Sequence, residues 1–109
     1  MLMREDIRPL TETVYYVLLA LVEPRHGYGI MQFVRELTEG RVDIGAGTLY
    51  GAISTLQDKG WIAPFGPARG DRKKEYLITP QGLDVLAAEI SRLEGLLRDG
   101  RATIDGSAK

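Results

Sequence analysis

The chain contains no cysteine and only one histidine among its 109 residues. Without cysteine it can form neither a disulfide framework nor a thiolate metal site, and one histidine leaves no transition-metal centre of ordinary composition. Long hydrophobic segments are also lacking, because the longest apolar run, residues 14–22, is shorter than the about 20 residues that cross a bilayer. The first residues lack the apolar stretch of a signal peptide. We therefore expect a cytoplasmic protein without metal, cofactor or membrane contact.

An excess of charge and an obvious catalytic group are likewise absent. The formal net charge is −1, so that only local clustering of basic residues could attract nucleic acid. His26 precedes a glycine at a predicted helix start, where we expect a capping or loop role and not catalysis. Neither Ser54 nor Ser91 has a histidine or lysine that the sequence places to activate it, and the glycine pairs lack a phosphate-loop pattern. The sequence therefore predicts a protein that is not an enzyme.

Hydrophobic periodicity predicts a mostly helical domain. Thr11 is expected to cap a first helix that stops before Pro24. Further helices are predicted at residues 27–39, 48–59 and 80–100, and two short strands at residues 61–65 and 75–78. The order helix, glycine, strand, basic turn, strand is typical of a winged helix-turn-helix with a two-stranded β wing.

The third predicted helix is the most informative segment. One of its faces is apolar, with Leu49, Ala52, Ile53 and Leu56 spaced i, i+3, i+4 and i+7. The opposite face is small and polar, with Gly47, Gly51, Ser54 and Thr55 at its centre and Thr48 and Tyr50 on its flanks. Such a face suits close contact with another polymer, and we predict that Thr48, Tyr50, Ser54 and Thr55 bind DNA. Tyr50 could instead pack at the edge of the core, and Tyr28 is equally open between the two roles.

The tip of the predicted hairpin is basic. It contains Arg69, Arg72, Lys73 and Lys74 against a single acidic residue, Asp71. A basic wing beside a polar helix suits the phosphate backbone next to a groove. Taken alone, the cluster could be a solvated turn, but its position after this helix favours DNA contact.

The last helix carries a heptad stripe. Leu83, Leu86, Ile90, Leu93 and Leu97 follow a, d, a, d, a spacing. We predict that this stripe joins two copies of the chain, with a second stripe of Val85, Ala88 and Leu96 facing the first helix of the partner. The alternative is that the helix packs only on its own domain.

Several motifs in order resemble the PadR family of transcriptional regulators. They occupy residues 26–30, 47–50, 60–62, 73–76 and 77–82, with Leu56 between the second and third. The resemblance covers residues 11–98 and points to the short subfamily with one C-terminal dimerisation helix. It implies a homodimeric repressor that binds a near-palindromic operator and that a small aromatic effector can release. The implied effector site comprises Val14, Tyr15 and Leu18 of the first helix with Val85 and Glu89 of the last, although the tyrosines could equally belong to a dimer core.

These expectations define four segments. They are an N-terminal arm (residues 1–10), a winged helix-turn-helix DNA-binding domain (residues 11–79), a C-terminal dimerisation helix (residues 80–100) and a disordered tail (residues 101–109). The other function left open is a winged-helix module that binds protein and not DNA. Asp58 on the outward face and the net charge of −1 favour that alternative, whereas the basic hairpin tip favours DNA.

Overall fold

A computed structural model describes residues 9–67 and 74–106 of the chain. The elements in these ranges are α1 (Glu12–Ala20), β1 (Arg25–His26), α2 (Gly27–Leu37), α3 (Ala46–Asp58), β2 (Ile62–Phe65), β3 (Glu75–Ile78) and α4 (Pro80–Asp105). The fold is mostly helical and carries a small antiparallel sheet and a long C-terminal helix. This confirms the predicted winged-helix architecture.

The core lies where the first three helices meet. Leu18 of α1, Ile30 and Val34 of α2 and Leu49 of α3 have no exposed surface. Burial of each such side chain contributes about 1.5–3 kcal/mol relative to its exposure. The apolar face predicted for α3 is therefore its inner face, and this fixes which of its side chains point outward.

Three helices begin at the predicted capping residues. The hydroxyl of Thr11 accepts the Val14 N–H at 3.1 Å, and the hydroxyl of Thr79 accepts the Gly82 N–H at 3.0 Å. The His26 Nδ1 accepts a hydrogen bond from the Gly29 N–H at 3.0 Å. These bonds satisfy amide groups that a helix leaves unpaired in its first turn, and His26 has the capping role, one of the two roles that its position predicted.

The sheet has the strand order β1-β3-β2, one strand more than predicted. β2 pairs with β3 with Ile62 opposite Ile78, and β1 pairs with the other edge of β3 with Arg25 opposite Tyr76. Pro64 lies in the edge strand β2, where its missing N–H costs no ladder bond. The third strand was missed because two residues are too few to show an alternating pattern.

The connection from β3 to α4 is held against the end of α3. Thr79 donates its N–H to the Trp61 carbonyl at 2.9 Å and its hydroxyl to the Gly60 carbonyl at 2.7 Å. Gly82 follows in the first turn of α4, so close to the Trp61 carbonyl oxygen that a Cβ at this position would overlap it. Any larger residue at Gly82 would have to push α4 away from the wing.

Two predicted helix ends were wrong. α1 ends at Ala20 and not at the residues before Pro24, since the Leu21 carbonyl accepts the Ile78 N–H at 2.8 Å and so serves the sheet. α4 continues through Gly100 to Asp105, so that residues 101–105 are helical where a disordered tail was predicted. A glycine inside a helix costs about 1 kcal/mol but does not stop it. The helix ends at Gly106, whose φ of 76° gives the left-handed conformation of a helix C-terminus.

Candidate nucleic-acid interface

The outward face of α3 is open, as its spacing predicted. Leu49, Ile53 and Leu56 are buried, whereas Thr48, Gly51, Ser54 and Thr55 are exposed. A Cβ added at Gly47 or Gly51 would meet no atom within 4 Å, so the backbone itself forms part of the surface. Hydroxyl groups on a low, uncluttered helix face can donate to and accept from base edges or phosphates.

Tyr50 lies between the core and this face. Its side chain is 49% exposed, and its hydroxyl and ring edge lie against Gly27 at the start of α2. An added Cβ at Gly27 would be 2.7 Å from the Tyr50 Cζ, so only glycine leaves room for the ring there. The ring therefore has a packing role and still presents surface for a ligand.

Tyr28 is the more exposed of the two tyrosines, with 64% of its surface accessible. It follows Gly27 directly, so both tyrosines lie near the N-terminus of α2. The sequence left Tyr28 undecided because glycine neighbours fit either a packed or a free ring. Exposure of this size places Tyr28 on the surface of the domain, outside the core.

The wing is described only at its base. Lys74 is exposed, and its amine lies 5.8 Å from the centre of the Tyr76 ring. The predicted DNA contacts Arg69, Arg72 and Lys73 lie outside the described residues. Lys59, directly after α3, places its amine 5.1 Å from the Trp61 ring centre. Since α3 itself holds no lysine or arginine, positive charge near its outward face has to come from flanking segments such as these.

Most of the predicted dimerisation stripe is exposed on α4. Leu83, Ile90, Leu93 and Leu97 have between 37% and 56% of their surface accessible. Leu86 departs from the prediction, because it is 4% exposed and belongs to the core of its own chain. Leu86 points inward because α4 lies over the core at this residue, where the Leu86 side chain packs against the other core residues.

The residues predicted for the effector site lie at different depths in the chain. Leu18 is completely buried, while Val14, Tyr15 and Val85 are half-buried against the core. Burial is the main cause that raises the pKa of the Tyr15 hydroxyl above its ordinary value. Leu18 was assigned to this site through the family resemblance, and its complete burial places it in the core of this chain.

Glu89, the predicted polar group of that site, is already paired. It is 4% exposed, and both of its oxygens accept hydrogen bonds from Arg92 at 2.8 Å. One of them also accepts the Leu10 N–H at 3.2 Å. The hydrogen bonds from Arg92 are the first cause that lowers the pKa of this carboxyl, and the Leu10 bond adds to it while burial opposes both. Neither the pair with Arg92 nor the contact with Leu10 was predicted from the sequence.

The family model described as "Transcriptional regulator PadR-like family" matches residues 16–88. This chain is a PadR-like protein. The solved structure of a PadR family transcriptional regulator from Eggerthella lenta DSM 2243 is 32% identical, with a TM-score of 0.63 and coverage of 84% of this chain and 79% of that one. The region that the family model matches, residues 16–88, runs from α1 into the first half of α4 and includes the whole outward face of α3.

Two further relatives define the extent of the likeness. PadR of Bacillus subtilis, solved in complex with operator DNA, is 24% identical, with a TM-score of 0.61 and coverage of 72% of this chain and 46% of that one. The fold of this PadR-like protein is thus also that of a structure solved on DNA. An uncharacterized 37.1 kDa protein in transposon TN4556 of Streptomyces fradiae is 34% identical over 83 residues, which is 72% of this chain. The chain spans only 23% of that curated relative.

Across residues 9–67 and 74–106, no three histidine or acidic side chains come together in a way that could hold a metal ion. Within the same part of the chain, none of the helices combines the length and the apolar character needed to span a bilayer.

Proposed function

We propose that this PadR-like protein is a DNA-binding transcriptional repressor that acts as a homodimer on a near-palindromic operator. The observation that carries the proposal is the outward face of α3, where Thr48, Ser54 and Thr55 are exposed beside backbone that no side chain covers. A helix with such a face can enter the major groove closely enough for short side chains to reach base edges. The wing, through Lys74 and the basic residues before it, contacts the adjacent phosphates.

The comparison with PadR of Bacillus subtilis supports this assignment, since a protein of the same fold was solved on operator DNA. A two-fold dimer would present two α3 helices to successive half-sites, which is the reason for a near-palindromic operator. The exposed leucines and isoleucine of α4 support the dimer, because an apolar stripe of this length is unfavourable in water.

A small aromatic effector completes the proposal. Val14 and Tyr15 of α1 and Val85 of α4 are each half-buried against the core, and the effector would bind beside them. An effector bound there releases DNA only if it binds the DNA-incompetent dimer more tightly than the competent one. A screen of planar aromatics and phenolic acids by thermal shift, followed by operator binding, tests this part. Compounds that raise the melting temperature without changing operator affinity would contradict it.

The central experiment measures binding of the protein to DNA from upstream of its own gene, by fluorescence anisotropy against a shuffled duplex. We expect the upstream duplex to bind at least about 10³-fold more tightly, the lower range for specific regulators. Ser54→Ala and Thr55→Ala should reduce that preference, because each loses an outward hydroxyl. Ser91→Ala, an exposed serine on α4, is the matched control and should leave it unchanged.

A protein-binding module is the alternative that a specific observation favours. Asp58 is exposed at the end of α3, and the net charge is −1, both of which oppose approach to a phosphate backbone. Equal weak binding to upstream and shuffled DNA, with no change in the two α3 variants, would favour this alternative over the repressor.

A further inference from the structure

Glu89 is a buried carboxylate that the proposed interface does not use. It is 4% exposed, lies on α4, and accepts the main-chain N–H of Leu10, the residue before the cap of α1. Arg92, one turn further along α4, holds both carboxylate oxygens at 2.8 Å. The Arg92 guanidinium thus neutralises the charge of the Glu89 carboxylate, which also holds the main chain at Leu10.

The position of Glu89 along α4 gives this contact its importance. The first turns of α4 are fixed to the domain by Gly82, packed against the Trp61 carbonyl, and by Leu86, buried in the core. Beyond Glu89, none of the residues of α4 that the structure describes is buried. The bond to Leu10 is therefore made where α4 leaves the body of its own chain.

A small rotation at this point would move the far end of the helix considerably. The portion from Ile90 to Asp105 extends for about 24 Å at 1.5 Å per residue, so that a tilt of about 10° displaces its end by about 4 Å. Of the exposed dimer stripe, Ile90, Leu93 and Leu97 lie on this portion, whereas Leu83 precedes it. A variable tilt of α4 at Glu89 would therefore vary the placement of the two winged domains of a dimer relative to each other.

Building on the proposed function, we infer that Glu89, through its bonds to Leu10 and Arg92, is the positioning residue that sets the direction of α4 against the winged domain and thereby the half-site spacing that the dimer accepts. The buried carboxylate suits this role because loss of one partner leaves an uncompensated acceptor, so intermediate orientations are costly. Leu10 contributes through its main chain, so the bond requires any residue but proline at that position.

The direction of α4 can be measured without DNA. The chain has no cysteine, so Thr55→Cys on α3 and Thr103→Cys near the far end of α4, both exposed positions, accept spin labels at two unique sites. Diluting the labelled chain with unlabelled protein leaves distances within one chain. We expect a narrow distance distribution by double electron–electron resonance, which Glu89→Ala and Leu10→Pro broaden. Leu10→Ala, which shortens the side chain and keeps the N–H, is the control and should stay narrow.

The functional consequence is measured with operators whose half-sites are moved apart by one base pair. The unmodified protein should discriminate against the altered spacing, and Glu89→Ala and Leu10→Pro should reduce that discrimination by roughly threefold or more, since one base pair turns a half-site by about 34°. Leu10→Ala should match the unmodified protein. A purely structural role would lower the melting temperature and leave the ratio of the two affinities unchanged.

The outcomes separate this inference from the function on which it rests. Unchanged distance distributions in both Glu89→Ala and Leu10→Pro overturn the inference, and so do broadened distributions with an unchanged spacing ratio. If Glu89→Ala does not fold, Leu10→Pro alone decides, since it leaves the carboxylate and Arg92 in place. Failure of the unmodified protein to bind any operator would overturn the proposed function, while the distance measurement would still decide whether Glu89 sets the direction of α4.

Discussion

The Tyr50 hydroxyl occupies the space that a side chain at Gly27 would need. The two residues lie on different helices, α3 and α2, and the ring of Tyr50 remains 49% exposed on its other side. This contact joins the helix that we assign to the major groove with the start of the helix before it. The glycine therefore serves the fold and the outward face at once, because it leaves room for the hydroxyl end of Tyr50 against the start of α2.

We expect Gly27→Ala to destabilise the protein by about 1 kcal/mol, because the added Cβ displaces the Tyr50 ring. In a Tyr50→Ala background the same change should be neutral or stabilising, since alanine is the better helix former once the space is empty. Urea unfolding of the four proteins in a double-mutant cycle measures the coupling. Equal effects of Gly27→Ala in both backgrounds would show that the two residues do not interact.

Gly82 should tolerate alanine less well than Gly27. Its neighbour is the Trp61 carbonyl, which is fixed by the hydrogen bond from Thr79 and cannot swing aside as a tyrosine ring can. We expect Gly82→Ala to cost about 1–3 kcal/mol of unfolding free energy. Gly95, in the same helix with open space around it, is the matched control, and Gly95→Ala should stabilise by about 0.5–1 kcal/mol. Thermal unfolding that ranks the two variants in the opposite order would contradict the assigned close approach.

Glu89 should make stability depend on pH at the acid end. Arg92 lowers the pKa of this carboxyl in the folded state, so the unfolded chain binds the proton more readily. The stabilisation is therefore complete above the unfolded pKa of about 4.3 and is lost as the pH falls through the lower folded value. The difference in unfolding free energy between the unmodified protein and Glu89→Gln should shrink between neutral pH and about pH 3. A difference that stays constant from neutral pH down to about pH 3 would contradict the stabilising role assigned to the ionised carboxylate.

The sequence predicted the parts of the fold that depend on local rules. The caps Thr11 and Thr79, the inner face of α3 and the pairing partner of the edge strand with Pro64 all follow from spacing or from one residue's chemistry. The ends of α1 and α4 did not follow, because they depend on a distant strand in one case and on a glycine that the helix passes in the other.

The candidate sites likewise divide into residues whose placement follows from local spacing and residues whose placement depends on distant contacts. Periodicity placed Ser54 and Thr55 outward on α3, where the structure has them. It could not distinguish Leu86 from its exposed neighbours on α4, since a heptad position does not reveal whether its partner is another copy or the chain's own core. The bond between Glu89 and Leu10 spans 79 positions and is invisible to any local pattern. Contacts of that kind emerge only when the elements are placed together.

The wing should supply affinity that is independent of DNA sequence. Replacing Lys73 and Lys74 by alanine should weaken binding to all duplexes and flatten the dependence of log K on log salt by up to about two units, since each phosphate contact contributes about −0.9. Arg98→Ala, an exposed cation on α4, is the control and should leave the slope unchanged. Anisotropy titrations at several salt concentrations measure both. An unaltered slope in the double lysine variant would remove this part of the wing from the interface.

The exposed stripe of α4 should hold the dimer together. Ile90 and Leu93 are each 37% exposed in the single chain and lie near its middle, so aspartate at both positions would bring charge into an apolar contact. We expect Ile90→Asp/Leu93→Asp to be a folded monomer with operator affinity reduced to that of one half-site. Ser91→Asp adds a charge to the same turn at an exposed polar position and should remain dimeric. Light scattering at micromolar concentration gives the molecular mass of each, and circular dichroism shows whether α4 is kept. A monomeric mass for the unmodified protein would overturn the dimer, and an operator affinity that survives in the double variant would separate DNA binding from assembly.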